Sequence, residues 1–120
     1  MYTVPDLAKL ILPEGLSSYF DIIRVMDIPH QINIYLEEMN VVPSEYKNDK
    51  LESKGFYEEV EIQDYPIRAK KVYLYIRRRR WTNHTKGEIV SGDWTLVAQG
   101  TRITSEFASF LKELSRLTSH

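Results

Sequence analysis

Apolar and polar side chains alternate with a period of two in several short runs through the middle of this chain, and switch to a helical period near its two ends. Ile32, Ile34 and Leu36 alternate with polar neighbours within Gln31 to Glu38, which predicts a strand. Phe20 to Ile28 predicts another, and Pro29-His30 between the two predicts a hairpin connection. Phe56 to Asp64 reads as a third strand, with Val60 and Ile62 inward and Glu59, Glu61 and Gln63 outward. In the next run Val72, Leu74 and Ile76 fall on one face and Tyr73 and Tyr75 on the other. Tyr65-Pro66-Ile67-Arg68 turns the chain between these two runs; if Val60 lies opposite Leu74 and Ile62 opposite Val72, the same register sets Glu61 against Tyr73 and Glu59 against Tyr75, and Glu59 comes diagonally near Arg77. Trp94 to Val97 reads as a short last strand, whereas 43–55 and 82–88 are polar and turn-rich and read as loops.

At the ends the period changes. Residues 4–12 predict a short helix: Pro5 suits a first turn, Asp6 favours the positive dipole end, and Leu7, Leu10 and Ile11 share a face. Thr104 is a good N-cap, and Phe107, Phe110, Leu111, Leu114 and Leu117 make one apolar stripe, so a helix is expected over 104–117, either packed back on the sheet or opening a larger helical unit such as a helix-turn-helix. The expected fold is α+β, a single domain over 1–120. A helix at 4–12 and another at 104–117 would flank a strand-rich region, 18–98, forming an antiparallel meander of about five strands.

Charge changes this picture more than composition does. The net charge is only −1, but residues 1–67 carry 13 acidic and 5 basic side chains, and residues 68–120 carry 4 acidic and 11 basic ones. Arg68 to Gly87 contains no carboxylate and eight Lys or Arg. A phosphate within a Debye length of about 10 Å responds to that local field and not to the molecular total. Within the stretch, four consecutive arginines, Arg77, Arg78, Arg79 and Arg80, run into Trp81. Continued in phase, one face would read Tyr73, Tyr75, Arg77, Arg79, Trp81, with about 6.6 Å between neighbours. Guanidinium forks suit phosphates, and aromatic faces suit sugars or bases. The candidate nucleic-acid contacts are therefore Arg77 to Arg80, assisted by Lys70, Lys71 and Lys86, with Trp81 packing on sugar or base. The bland alternative is a charged strand end neutralised by Glu58, Glu59 and Glu61.

Other chemistries find little support. Cysteine is absent, and His30, His84 and His120 are scattered without ligand-like spacing, so neither a metal site nor a cofactor is expected. No Gly-rich phosphate loop and no Ser–His–Asp set is present, so no catalytic residue is assigned and the chain is not expected to be an enzyme. No apolar stretch approaches the roughly 20 residues a bilayer span needs. A cytoplasmic chain with no membrane partner and no small-molecule substrate is the expectation.

Three blocks carry a family resemblance: LPEGLSSYFDI (12–22), LESKGFYEEVEIQDYPIRAKKVYLYIRRRRW (51–81) and GEIVSGDWTLVAQGTRITSEFASFLKEL (87–114). Together they make the chain resemble the N-terminal-region proteins of split insertion-sequence transposases. The resemblance implies a non-catalytic piece that helps recognise the terminal inverted repeats of a mobile element, with the catalytic carboxylates on a separate transposase chain. The order of elements also resembles the start of single-chain transposases, where an Arg-rich strand feeds a zinc ribbon and then a helix-turn-helix. Here Val72 to Arg80 matches that strand and Thr101 to Leu114 the helix after the ribbon, but no cysteine follows Trp81, and a short turn near Thr82–Gly87 would replace the ribbon. Phosphate positioning is then the expectation, ahead of base reading. Two alternatives stay open: a protein–protein module docking on the catalytic chain through residues 37–64 and the terminal helix, and single-strand or RNA binding on a sheet face bearing Tyr73 and Tyr75.

Overall fold

A computed structural model describes residues 12–13, 15–93 and 105–118, with side chains of the helix from 108 to 117. Among the described residues the fold is α+β, with seven strands in two sheets, one α-helix and two short 3-10 turns. The strands are β1 (Phe20–Ile28), β2 (Gln31–Glu38), β3 (Leu51–Phe56), β4 (Val60–Ile67), β5 (Lys70–Arg77), β6 (Arg79–Asn83) and β7 (Glu88–Val90); the helix is α1 (Ser105–Thr118). The expected helix over 4–12 and the expected strand at Trp94 to Val97 lie outside the described residues, apart from Leu12, which is buried.

The first sheet has the order β1-β2-β5-β4. Its two inner strands alternate most cleanly. Ile34 and Leu36 of β2, and Val72, Leu74 and Ile76 of β5, are at most 1% exposed. β1 and β2 join through Pro29-His30, with Ile28 opposite Gln31. His30 has φ 66°, and proline followed by a positive φ is the pattern of a type II turn. β4, with Pro66 and a register irregularity between Asp64 and Ile67, takes an edge, where a missing N–H does no harm.

An all-antiparallel meander is not what forms. β2 and β5 run parallel, Ile32 opposite Val72 through Glu37 opposite Arg77. The chain between them, 39–69, is long enough for the crossover a parallel pair requires, and it carries β3 and β4. The register of β4 on β5 also differs by two residues from the expectation. Val60 faces Ile76, Ile62 faces Leu74 and Glu61 faces Tyr75, because a two-residue Arg68-Ala69 turn closes the hairpin. A two-residue shift keeps every side chain on its expected face.

α1 lies across one side of this sheet. Phe110, Leu111 and Leu114 are buried in one cluster with Leu16, Phe20, Ile34, Leu36, Leu74 and Ile76. Phe110 meets Phe20 edge-on at 6.5 Å. Each such burial contributes about 1.5–3 kcal/mol. Leu117, at the end of the stripe, is 37% exposed.

The second sheet, β3-β6-β7, is antiparallel. β3 corrects the loop expected over 43–55: residues 51–56 pair with β6, and Gly55, at φ 88°, sits in the irregularity between Ser53 and Phe56. Such a left-handed position in a bulge favours glycine. The loop expected at 82–88 shrinks to the tip between Asn83 and Glu88.

Candidate nucleic-acid interface

The arginine run sits where the chain leaves one sheet for the other. β5 ends at Arg77 and β6 begins at Arg79, so Arg78 alone makes the crossing. The phase of β5 therefore does not continue as one ribbon. Tyr73, Tyr75 and Arg77 share the side of the first sheet away from the core, whereas Arg79 and Trp81 belong to the inner side of the second.

Each arginine has a different environment. Arg77 is about half exposed and ion-pairs with Glu37 at 3.5 Å and Glu59 at 4.0 Å. Arg78 is partly buried, and its Nη2 donates to the Gly92 carbonyl at 2.6 Å and to Ser91 Oγ at 3.2 Å. Burial pushes its pKa down, against the nearby Glu38 charge. Arg79 donates from its backbone N–H to Glu38 Oε1 at 3.0 Å, from Nε and Nη2 to the Glu38 carbonyl, and from Nη1 to Ser53 Oγ at 2.6 Å. Its guanidinium also lies 4.6 Å over the Phe56 ring.

Arg80 points the other way. Alternation in β6 puts Arg79, Trp81 and Asn83 on one side and Arg80 and Thr82 on the other. The first side holds the buried Trp81, Asn83 and Val90. The second holds the exposed Glu52, Lys54 and Ile89 and the half-buried Arg80. Arg80 Nη2 donates to the Lys54 carbonyl at 3.3 Å, and the guanidinium lies 5.9 Å over the Tyr57 ring. Neither Arg80 nor Lys54 forms an ion pair with a described carboxylate.

The assisting residues do not gather at this place. Lys70 and Lys71 begin β5, about 23 Å from its arginine end at 3.3 Å per residue. Lys70 is ion-paired with Asp27, while Lys71 is exposed. Lys86 lies at the β6–β7 tip, 3.8 Å from Asp49. Trp81, expected to pack on sugar or base, is 2% exposed, and its indole N–H is buried with no acceptor among the described residues. Its neighbour in sequence, not Trp81 itself, faces out.

Two organising residues were missing from the sequence reading. Glu38, 4% exposed, joins the sheets through Arg79 and Arg78, and burial raises its pKa above the ordinary value. Its position in phase with Ile34 and Leu36 is the signal that places it inward. Asn83 is fully buried: its amide donates to Asp49 Oδ2 at 2.9 Å, and its Oδ1 accepts from the backbone N–H of Thr85 and Lys86. It thereby closes the tip where the resemblance would have put a metal-bound ribbon.

The tyrosine face is also specific. Tyr35 and Tyr75 stack at 4.9 Å and 16°, and the Arg24 guanidinium sits 4.3 Å over Tyr35. Tyr75 donates to Glu61 at 2.8 Å, and this hydrogen bond raises the phenol pKa to about 12. Rings stacked on one another do not offer those faces to bases. Among the described residues no group of three or more His, Asp or Glu is placed to hold a metal ion. No helix among them is long and apolar enough to cross a membrane. No protein-family model, curated protein or solved structure matches the chain.

Proposed function

We propose that this chain is the non-catalytic N-terminal piece of a split insertion-sequence transposase, and that it contacts the DNA backbone at the element ends through the outer side of its second sheet. The observation that carries the reading is the division of labour within the arginine run. Arg77 is balanced by Glu37 and Glu59, and Arg78 and Arg79 share Glu38; Arg80, beside Lys54, has no such partner among the described residues. Its carbonyl and ring contacts hold the fork in place. The Arg80 Nε–H is buried with no acceptor among the described residues, so it is the donors left at the terminal nitrogens that suit a phosphate oxygen.

Arg77 contributes second, because its long, exposed pairs contribute only about 0.2–1 kcal/mol and exchange readily for a phosphate. Arg78 and Arg79 act as scaffold: they fix β6 against β2 and so set where Arg80 projects. With two to three phosphates neutralised, the log affinity for duplex falls against log salt with a slope of about −2 to −3. Heparin chromatography and competition between a terminal-repeat duplex and its separated strands test the reading. Salt-sensitive retention and preference for duplex are expected; failure to bind either polyanion would refute it.

A further inference from the structure

β1 forms one edge of the first sheet, paired only with β2 among the described residues. It is nine residues long, and Ile23, Met26 and Ile28 on it are 55%, 37% and 37% exposed. Long edges with exposed apolar groups are templates for a further strand. A groove of about 410 Å³ opens beside β1 on the tyrosine side, lined by Ile23, Arg24, Tyr35, Glu37, Glu59 and Arg77. Within it Arg77 is held by Glu37 and Glu59, whereas Arg24 stacks on Tyr35 without an ion-pair partner among the described residues.

Charge decides what would fit this edge. Its ionisable residues are Asp21, Arg24 and Asp27, with Arg24 at the midpoint of the strand. A second copy pairing antiparallel over the full strand would set Arg24 opposite Arg24 and Asp21 opposite Asp27. Like charges placed opposite each other destabilise a strand pair, so self-association is disfavoured. A foreign strand with an acidic residue at its centre and apolar groups around it meets Arg24, Ile23, Met26 and Ile28 favourably.

We propose that the β1 edge takes up an extended acidic–apolar segment of another protein chain as a fifth strand, with the segment's carboxylate on Arg24. Strand addition supplies main-chain hydrogen bonds, and the Arg24 groove supplies selection. Arg77 borders both this groove and the proposed DNA contact, but Arg24 belongs to this site alone and Arg80 and Lys54 to the other, so substitutions at those residues test the two proposals separately.

Two fluorescein-labelled peptides of alternating valine and threonine, about nine residues long, test this. They differ only in a central Glu or Lys, and the readout is anisotropy on addition of the full chain. The Glu peptide is expected to bind at least about fivefold tighter than the Lys peptide, and Arg24→Glu should reverse the order. Slowed hydrogen exchange at β1 amides, measured with the Glu peptide, should accompany binding. Binding of neither peptide, or equal binding unaltered by Arg24→Glu, would overturn the proposal. So would sedimentation of the chain alone as a dimer that Arg24→Glu does not alter.

Discussion

The two sheets share one continuous stretch of chain, yet they are held by opposite means. In the first, β5 contributes Val72, Leu74 and Ile76, each at most 1% exposed, to an apolar layer closed by α1. In the second, β6 contributes Arg79, Trp81 and Asn83, and two of those three side chains act through hydrogen bonds. Apolar burial is non-directional and tolerates small shifts, whereas guanidinium and amide contacts work only at set angles. The first sheet therefore supplies stability, and the second supplies direction: of the three arginines that follow Arg77, it turns Arg80 away from the Glu38 seam.

Truncation in the apolar layer separates the sheets most strongly. Leu74→Ala should lower the unfolding free energy by about 2–5 kcal/mol, since a fully buried position leaves a cavity. Asn83→Ala should cost about 1–3 kcal/mol by stranding the Thr85 and Lys86 amides and Asp49. Urea denaturation measures both. Native-state hydrogen exchange sharpens the contrast, because Asn83→Ala should accelerate exchange in β6 and β7 while sparing β2 and β5. Uniform acceleration in both sheets would break the distinction.

Glu38 lies on the seam, and pH probes it. Burial raises its folded pKa, with the Arg79 backbone hydrogen bond and the Arg78 and Arg79 charges opposing in part. A carboxyl whose folded pKa exceeds its unfolded one binds its proton more tightly when folded. Its contribution is thus full below the ordinary glutamate value of 4.5 and declines as pH rises through the raised folded value. Glu38→Gln should flatten that decline in denaturation midpoints measured between about pH 4 and pH 7. Asp64 shares the direction through its own burial, so some slope should persist in the variant.

A smaller effect is expected at the β4–β5 turn, where Arg68 holds φ 54°. Arg68→Gly should raise stability by about 0.5–1 kcal/mol, since glycine adopts the left-handed region without a Cβ penalty. That gain should appear as slower unfolding of the first sheet alone.

What could be read from the chain follows the same division. β1, β2, their Pro29-His30 hairpin and the faces of β5 were legible, because alternation and a turn dipeptide are local signals. The helix stripe Phe110, Leu111 and Leu114 was legible for the same reason. β3 was not: Glu52, Ser53, Lys54 and Gly55 carry no apolar alternation, and their pairing with β6 depends on a distant strand. The parallel β2–β5 pair was hidden because no local pattern encodes which strand lies next to which. Within the arginine run the charge was plain, but most of its partners were not. Glu59 beside Arg77 was legible, but nothing in the sequence told Arg78, Arg79 and Arg80 apart until the crossing at Arg78 turns successive side chains toward different carboxylates, carbonyls and rings.

The central claim is that Arg80 and Lys54 meet DNA while Arg78 and Arg79 hold the scaffold. Its most direct test is the slope of log affinity against log salt for a terminal-repeat duplex, measured by anisotropy on the unaltered chain and on the Arg80→Ala/Lys54→Ala double variant. Loss of two phosphate contacts should make the slope shallower by about 1.8. An unchanged slope and affinity in a double variant that still folds would contradict the account.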